Sequence, residues 1–148
     1  MKLKWEYDFK EVIDFCEKIG DPHTSETYLM TATQEIAKLL HKNLLEYTPV
    51  KTGNLRKMWS AGDNLLFTVE KLKTCYKVTL VNAARTGGKR GYKYGNSVEN
   101  GHPSPNGGWV MGKFFVKKSI VELGNSKELQ AIILKELREW FRRCSRGK

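Results

Sequence analysis

The sequence predicts a domain that mixes helices with a small amount of sheet, and three observations carry the prediction. Between Ser25 and Tyr47 apolar residues recur with the 3.6-residue period of one helix face. A second stripe of the same period closes the chain from Leu129 to Phe141. Leu3–Tyr7, Leu65–Glu70 and Cys75–Val81 instead alternate in the two-residue period of half-buried strands. With 148 residues, 40% hydrophobic and 11% aromatic, the chain can build one core, and a single domain over 1–148 is expected. No stretch approaches the ~18 apolar residues of a membrane span. The opening MKLKWEYDF lacks the apolar run of a signal peptide. Cys16, Cys75 and Cys144 lie far apart without a CxxC pair, which argues against a disulfide framework or a zinc knuckle and suits a reducing cytoplasm.

The elements follow in order. Leu3, Trp5 and Tyr7 begin a strand, and Asp8 with Glu11 makes a capping-box-like start for a helix carrying Phe9, Val12, Ile13, Cys16 and Ile19. Gly20 ends that helix and Asp21-Pro22 makes a turn, so residues 1–20 form an N-terminal strand and helix. Thr24 or Ser25 caps the long helix, whose stripe is Tyr28, Ala32, Ile36, Leu39, Leu40, Asn43, Leu44 and Tyr47. Thr48-Pro49 stops it, because the residue before proline is pushed out of the α region. Thr52 then caps a short helix with Leu55, Met58 and Trp59, and Ala61–Asn64 is a turn before the two central strands. Residues 82–113 hold eight of the thirteen glycines and read as a long flexible loop, inside which 94–100 forms a short strand or a turn of helix. Helix resumes at Phe114, with Phe115, Lys118, Ile120 and Val121. Ser126 caps the last helix, whose stripe is Leu129, Ile132, Ile133, Glu136, Leu137, Trp140 and Phe141.

Charge is uneven along the chain. Of its net +10, residues 1–26 contribute four basic and seven acidic side chains, and the rest twenty-two basic and nine acidic. Such a chain suits nucleic acid or an acidic protein surface. Chemistry is harder to find. His23, His41 and His102 have no metal-site spacing, and His41 reads as a solvated histidine beside Lys42. His102, between Gly101 and Pro103, has no nearby nucleophile or acid to complete a site. Gly87-Gly88-Lys89 lacks the Ser or Thr and the following helix of a phosphate loop. Asp63, Glu70 and Glu99 stand alone, where a two-metal centre needs clustered acids. Arg85, Lys89, Arg90 and Lys93, with Tyr92 and Tyr94 between and after them, are free of acids. They suit phosphate contact, an acidic protein neighbour or a simply solvated loop.

Three blocks in order resemble a known family. The first is Tyr47-Thr48-Pro49-Val50-Lys51-Thr52-Gly53-Asn54-Leu55-Arg56, followed by Trp59 and Ser60. The second is Tyr94, Gly95, Val98, Glu99, Gly101 and His102; the third is Trp109-Val110-Met111-Gly112-Lys113-Phe114-Phe115. Together they are similar to the minor tail components of long-tailed bacteriophages, the tail-completion or neck family. The chain departs from that pattern at Lys51, where the family often has Asp, at Met111, where proline is common, and in the longer, more basic Arg85–Lys93 segment.

The resemblance implies an α+β fold, a small mainly antiparallel sheet packed by the long helix and the C-terminal helix. It implies structural work for Pro49, Thr52, Gly53, Leu55, Arg56, Val98, Glu99, Gly101, Trp109 and Phe115. Pro49 ends the helix, Gly53 permits the reversal, Leu55 returns to the core and Arg56 pairs with Glu99. It further implies a non-enzymatic virion protein without cofactor or metal, assembled as a ring of six copies, at the head–tail junction or tail end. Its partners would be copies of itself, neighbouring neck, connector or tail proteins and passing genomic DNA. It would lie in the virion, and in the host cytoplasm during assembly. Two other readings stay open: a basic nucleic-acid-binding module using Arg85, Lys89, Arg90, Tyr92 and Lys93, and a small hydrolase using His102.

Overall fold

The computed structural model describes residues 2–8, 22–59, 69–73, 75–86 and 91–146. In chain order they form β1 (Lys2–Asp8), α1 (Pro22–Tyr47), α2 (Asn54–Lys57), β2 (Val69–Lys71) and β3 (Cys75–Val81). There follow α3 (Gly95–Asn100), β4 (Gly101–Pro103), β5 (Trp109–Met111), α4 (Phe115–Asn125) and α5 (Lys127–Arg146). The fold is α+β, with a three-stranded sheet ordered β1–β3–β2 and a separate antiparallel hairpin β4–β5. The expected helix Phe9–Ile19, the turn Ala61–Asn64 and the strand residues Leu65–Thr68 lie outside the described residues. The chain divides into two compact units. One holds Met1–Leu3, Leu40–Leu66 and Leu80–Gly124; the other holds Lys4–Leu39, Phe67–Thr79 and Asn125–Lys148.

In the second unit, α1 begins at Pro22, earlier than expected, so Pro22 belongs to the helix and not to a turn. A proline in the first helical turn forfeits only an N–H that the helix could not use. Tyr28, Leu29 and Ala32 of α1 then pack with Tyr76 of β3 and Trp140 of α5, flanked by Met30, Val69 and Leu137. The Tyr28 and Trp140 rings lie 6.2 Å apart. Antiparallel pairing sets Val69 opposite Val78, Glu70 opposite Lys77 and Lys71 opposite Tyr76. The Leu72 amide closes the turn by donating to the Cys75 carbonyl at 2.8 Å. Along β3, Tyr76, Val78 and Leu80 are buried while the residues between them are half-exposed, as the alternation requires.

The Ser126 hydroxyl accepts from the Glu128 amide at 3.0 Å and so caps α5. Only Trp140 of the α5 stripe is fully buried; Phe141 is exposed, although its ring lies 4.8 Å from that of Trp140. Neighbouring helix positions are about 100° apart, so the two rings cannot face the same core. The Trp140 indole N–H is buried without a hydrogen-bond partner.

In the first unit the buried side chains include Leu40, Asn43, Leu44 and Thr48, then Leu55, Trp59, Leu80, Asn82, Ala84 and Glu99, and Phe115, Val116, Ser119 and Leu123 of α4. Ile120 and Val121 are exposed, because the α4 face turned inward is set by Phe115, Ser119 and Leu123 at helical spacing. The stretch 82–113, expected as one long loop, carries α3 and the β4–β5 hairpin. Two of its glycines, Gly101 and Gly112, serve close backbone approach. A Cβ at Gly112 would stand 2.3 Å from the Glu99 carbonyl oxygen, and one at Gly101 2.5 Å from that of Val110.

Leu40 is 1% exposed. Leu40→Ala should therefore lower stability by roughly 2–5 kcal/mol in denaturant titration, the range for a buried leucine that leaves a cavity.

Candidate functional site

The three sequence blocks meet in the first unit. At the end of α1, Thr48 donates from its hydroxyl to the Leu44 carbonyl and accepts from the Trp59 indole N–H at 2.8 Å. Pro49 has no N–H with which to continue the ladder, so the chain leaves the helix at that point. Gly53 takes φ 77°, which a side chain would resist, and α2 starts directly after it. Thr52 is exposed and gives α2 no side-chain cap, so the expected cap is replaced by this glycine turn. Leu55 returns to the core as expected, and Asn82 holds it there by donating from its carboxamide to the Leu55 carbonyl at 2.8 Å. The Asn82 side-chain oxygen accepts from the Ala84 amide at 3.0 Å. Trp59 completes the corner by packing edge-on against Phe115 at 6.1 Å. The Tyr47 hydroxyl is pushed to higher pKa chiefly by the negative charge of Glu122 on α4.

Glu99 does not pair with Arg56. It is buried, and its two carboxylate oxygens accept from the Val116 and Lys117 amides at 2.9 and 3.1 Å. Arg56 points its charge to the surface and is exposed. The amides at the start of α4 have no partners within the helix and lie at the positive end of its dipole, so they are the better acceptor site for a carboxylate out of water. The same residue acts through its backbone: the Phe114 amide donates to the Glu99 carbonyl at 3.1 Å, and the Lys113 amide donates to that of half-buried Val98 at 2.8 Å. Phe114 is held at φ 50°, a conformation that costs a bulky residue strain and persists because these bonds and the Lys118 amide fix it.

Beyond that base the chain becomes exposed and apolar. Trp109, Val110 and Met111 of β5 are 61%, 43% and 69% exposed, although each is in register with β4. A second, shorter ribbon stands nearby in sequence. Arg85 and Lys93 bridge antiparallel; the Thr86 amide donates to the Tyr92 carbonyl at 2.9 Å, and the Tyr92 amide donates to the Thr86 hydroxyl at 3.2 Å. Arg85, Tyr92 and Lys93 are exposed. Lys89 and Arg90 lie outside the described residues. Asn54 ties the ribbon to α2, donating to the Arg85 carbonyl at 3.4 Å and to the Tyr94 hydroxyl at 3.1 Å.

Two histidines differ from their sequence reading or gain detail. His41 is half-buried, and burial lowers its pKa below 6.5 against the pull of a hydrogen bond with the Trp59 backbone. His102 lies in β4 with Nδ1 3.5 Å from the Ser97 carbonyl, a group that orients an imidazole but supplies neither nucleophile nor acid. In the second unit a pocket of about 280 Å³ is lined in part by Lys135, Glu136, Glu139 and Arg143 and includes no residue expected to be functional. Among the described residues no group of His, Cys, Asp or Glu could hold a metal ion, and no helix is long and apolar enough to cross a membrane.

Asn54, Gly112 and Phe114 stand in the three sequence blocks without an expected role of their own, and Asn82 lies outside the blocks. Asn82 left a signal: it continues the buried phase of Tyr76, Val78 and Leu80, where a polar side chain demands partners.

The arrangement defines a class in which the shared motif residues build a scaffold and present surface arms. A family model described as "Bacteriophage HK97-gp10, putative tail-component" matches residues 10–101, more than half of the chain, which belongs to that family of phage tail components. The match takes in the first block and nearly all of the second; Trp109–Phe115 lies beyond it. Comparison with curated proteins and with solved structures gives no match.

Glu99→Ala leaves two helix amides without their acceptor and should cost about 1–3 kcal/mol, with Glu99→Gln intermediate, as read from denaturant midpoints. His41 gives a pH dependence of known sign. Its proton is bound less tightly in the folded state than in the unfolded one, so its stabilising contribution is whole above pH 6.5 and is lost as pH falls through the folded pKa. Denaturant midpoints followed from about pH 7.5 to about pH 5, across the ordinary histidine range, should fall less for His41→Gln than for wild type.

Proposed function

We infer that this tail component is a non-enzymatic assembly protein that completes the tail at the head–tail junction or tail end, docking to neck, connector or tail subunits and to copies of itself in a ring. The observation that supports this most is the β4–β5 hairpin. Its base is fixed by glycines that admit no side chain and by bonds to Val98 and Glu99, while Trp109, Val110 and Met111 face outward. A rigid arm loses little conformational freedom on docking, and an exposed tryptophan is the residue type that dominates binding energy at interfaces. A contact of this arm with a different surface on the next copy is heterologous, and such contacts close into rings when the rotation permits.

The test is the pair Trp109→Ser with Met111→Ser. Both side chains are exposed, so stability should stay within about 0.5 kcal/mol of wild type. Truncating a tryptophan anchor costs roughly 2 kcal/mol or more of docking energy, about a thirtyfold loss of affinity. Particles assembled with the variant should therefore lack joined tails and the variant protein. Normal head–tail joining with the folded variant incorporated would refute the docking role of the hairpin.

A further inference from the structure

We propose that the exposed cations Lys51, Arg56, Lys57, Arg85 and Lys93 form a contact surface for the phosphodiester backbone of duplex DNA. The inference rests on the tail-component reading only for why DNA is at hand. Its physical case begins with where charge sits in the fold. The first unit contains twelve Lys and Arg residues and four Asp and Glu residues, so it carries a net +8 of the chain's +10. The second unit, with fourteen basic and twelve acidic residues, is close to neutral. The split along the sequence, acidic start against basic remainder, does not reveal this, because α1 and β3 each contribute to both units.

Within the first unit the carboxylates are few and stand apart from the cations of α2. Glu99 is buried and bound to the α4 amides, while the exposed Glu46 and Glu122 lie on α1 and α4. Lys51, Arg56, Lys57, Arg85 and Lys93 are all exposed. They stand on segments joined to one another: Asn54 at the start of α2 bonds to the Arg85 carbonyl and to Tyr94, and the Ala83 amide donates to the Met58 carbonyl at 3.0 Å. The described residues of these segments, 48–59, 82–86 and 91–94, contain no Asp or Glu. Tyr92, 87% exposed beside Lys93, adds a hydroxyl of the kind that donates to phosphate oxygens.

A polyanion is the partner this pattern fits. Three of the five cations are lysines, the type that interfaces between proteins are depleted in. Duplex DNA presents one charge per ~1.7 Å of axis, and cations that neutralise its phosphates release condensed counterions, which makes such binding independent of sequence and steeply dependent on salt.

The experiment uses the full chain, a fluorescent 30-base-pair duplex of mixed sequence and the variant Arg56→Gln/Lys57→Gln/Lys93→Gln. Arg85 is left in place because its guanidinium bonds to the Gly91 carbonyl at 3.0 Å. Wild type should bind the duplex at low salt, whatever its sequence. The variant, with an unchanged unfolding midpoint, should bind at least about tenfold more weakly, with a log–log salt slope smaller by about 3. No binding at about 50 mM salt, or an unchanged slope in the variant, overturns the proposal. So does polyglutamate competing as well as unlabelled duplex, which would point to an acidic protein, or tighter binding of the single strand. This assay uses purified protein and the assembly test uses Trp109 and Met111, so the failure of one leaves the other standing.

Discussion

The Glu99 carboxylate and the free amides of α4 form the interaction on which the first unit is organised. A carboxylate out of water is costly unless hydrogen bonds replace its hydration. The start of a helix offers such bonds already aimed outward, at the positive end of the dipole. Two of them bind Glu99, at Val116 and Lys117, and the backbone of the same residue holds Phe114. Once α4 is fixed in this way, Phe115 meets Trp59, and Trp59 reaches back to Thr48 at the end of α1. The corner, the glycine-lined approach at Gly112 and the base of the β4–β5 hairpin are therefore consequences of one buried charge and its acceptor geometry.

That arrangement separates two kinds of surface work. Buried polar side chains, Thr48, Asn82 and Glu99, fix backbone geometry and are spent inside the unit. The exposed apolar strip of β5 and exposed cations such as Arg56, Lys57 and Lys93 stand on the surface of the same unit. Apolar area supplies affinity in an interface, whereas charge mainly steers the approach and sets orientation. A tail component built this way can use one arm to hold a neighbour and a separate face to meet a polyanion, without either function constraining the core.

Much of this was legible along the chain wherever a residue's role depended on its neighbours in sequence. The stripe from Tyr28 to Leu44 is buried because a helix repeats its face every 3.6 residues whatever lies opposite. The alternation in β3, the stop at Thr48-Pro49, the cap at Ser126 and the reversal at Gly53 are likewise local. The family resemblance at Tyr47–Arg56 and Tyr94–Gly101 rested on the same local patterns, and the family match covers both stretches.

What only the tertiary structure decided are the contacts that join distant segments. Glu99 caps a helix seventeen residues away, a pairing no spacing rule encodes, and the expected charged partner Arg56 gave way to amides that had no other acceptor. The glycines of 82–113 signalled a loop in sequence because glycine density reads as freedom; in the fold, Gly101 and Gly112 mark places where backbones approach too closely for a Cβ. The gathering of charge into one unit also escapes the linear order, since the units are assembled from interleaved segments. Sequence by itself determined the elements and their buried faces, because those follow from periodicity and backbone chemistry. The fold alone determined which buried charge meets which helix end and which surfaces remain open, because those depend on what packing brings together.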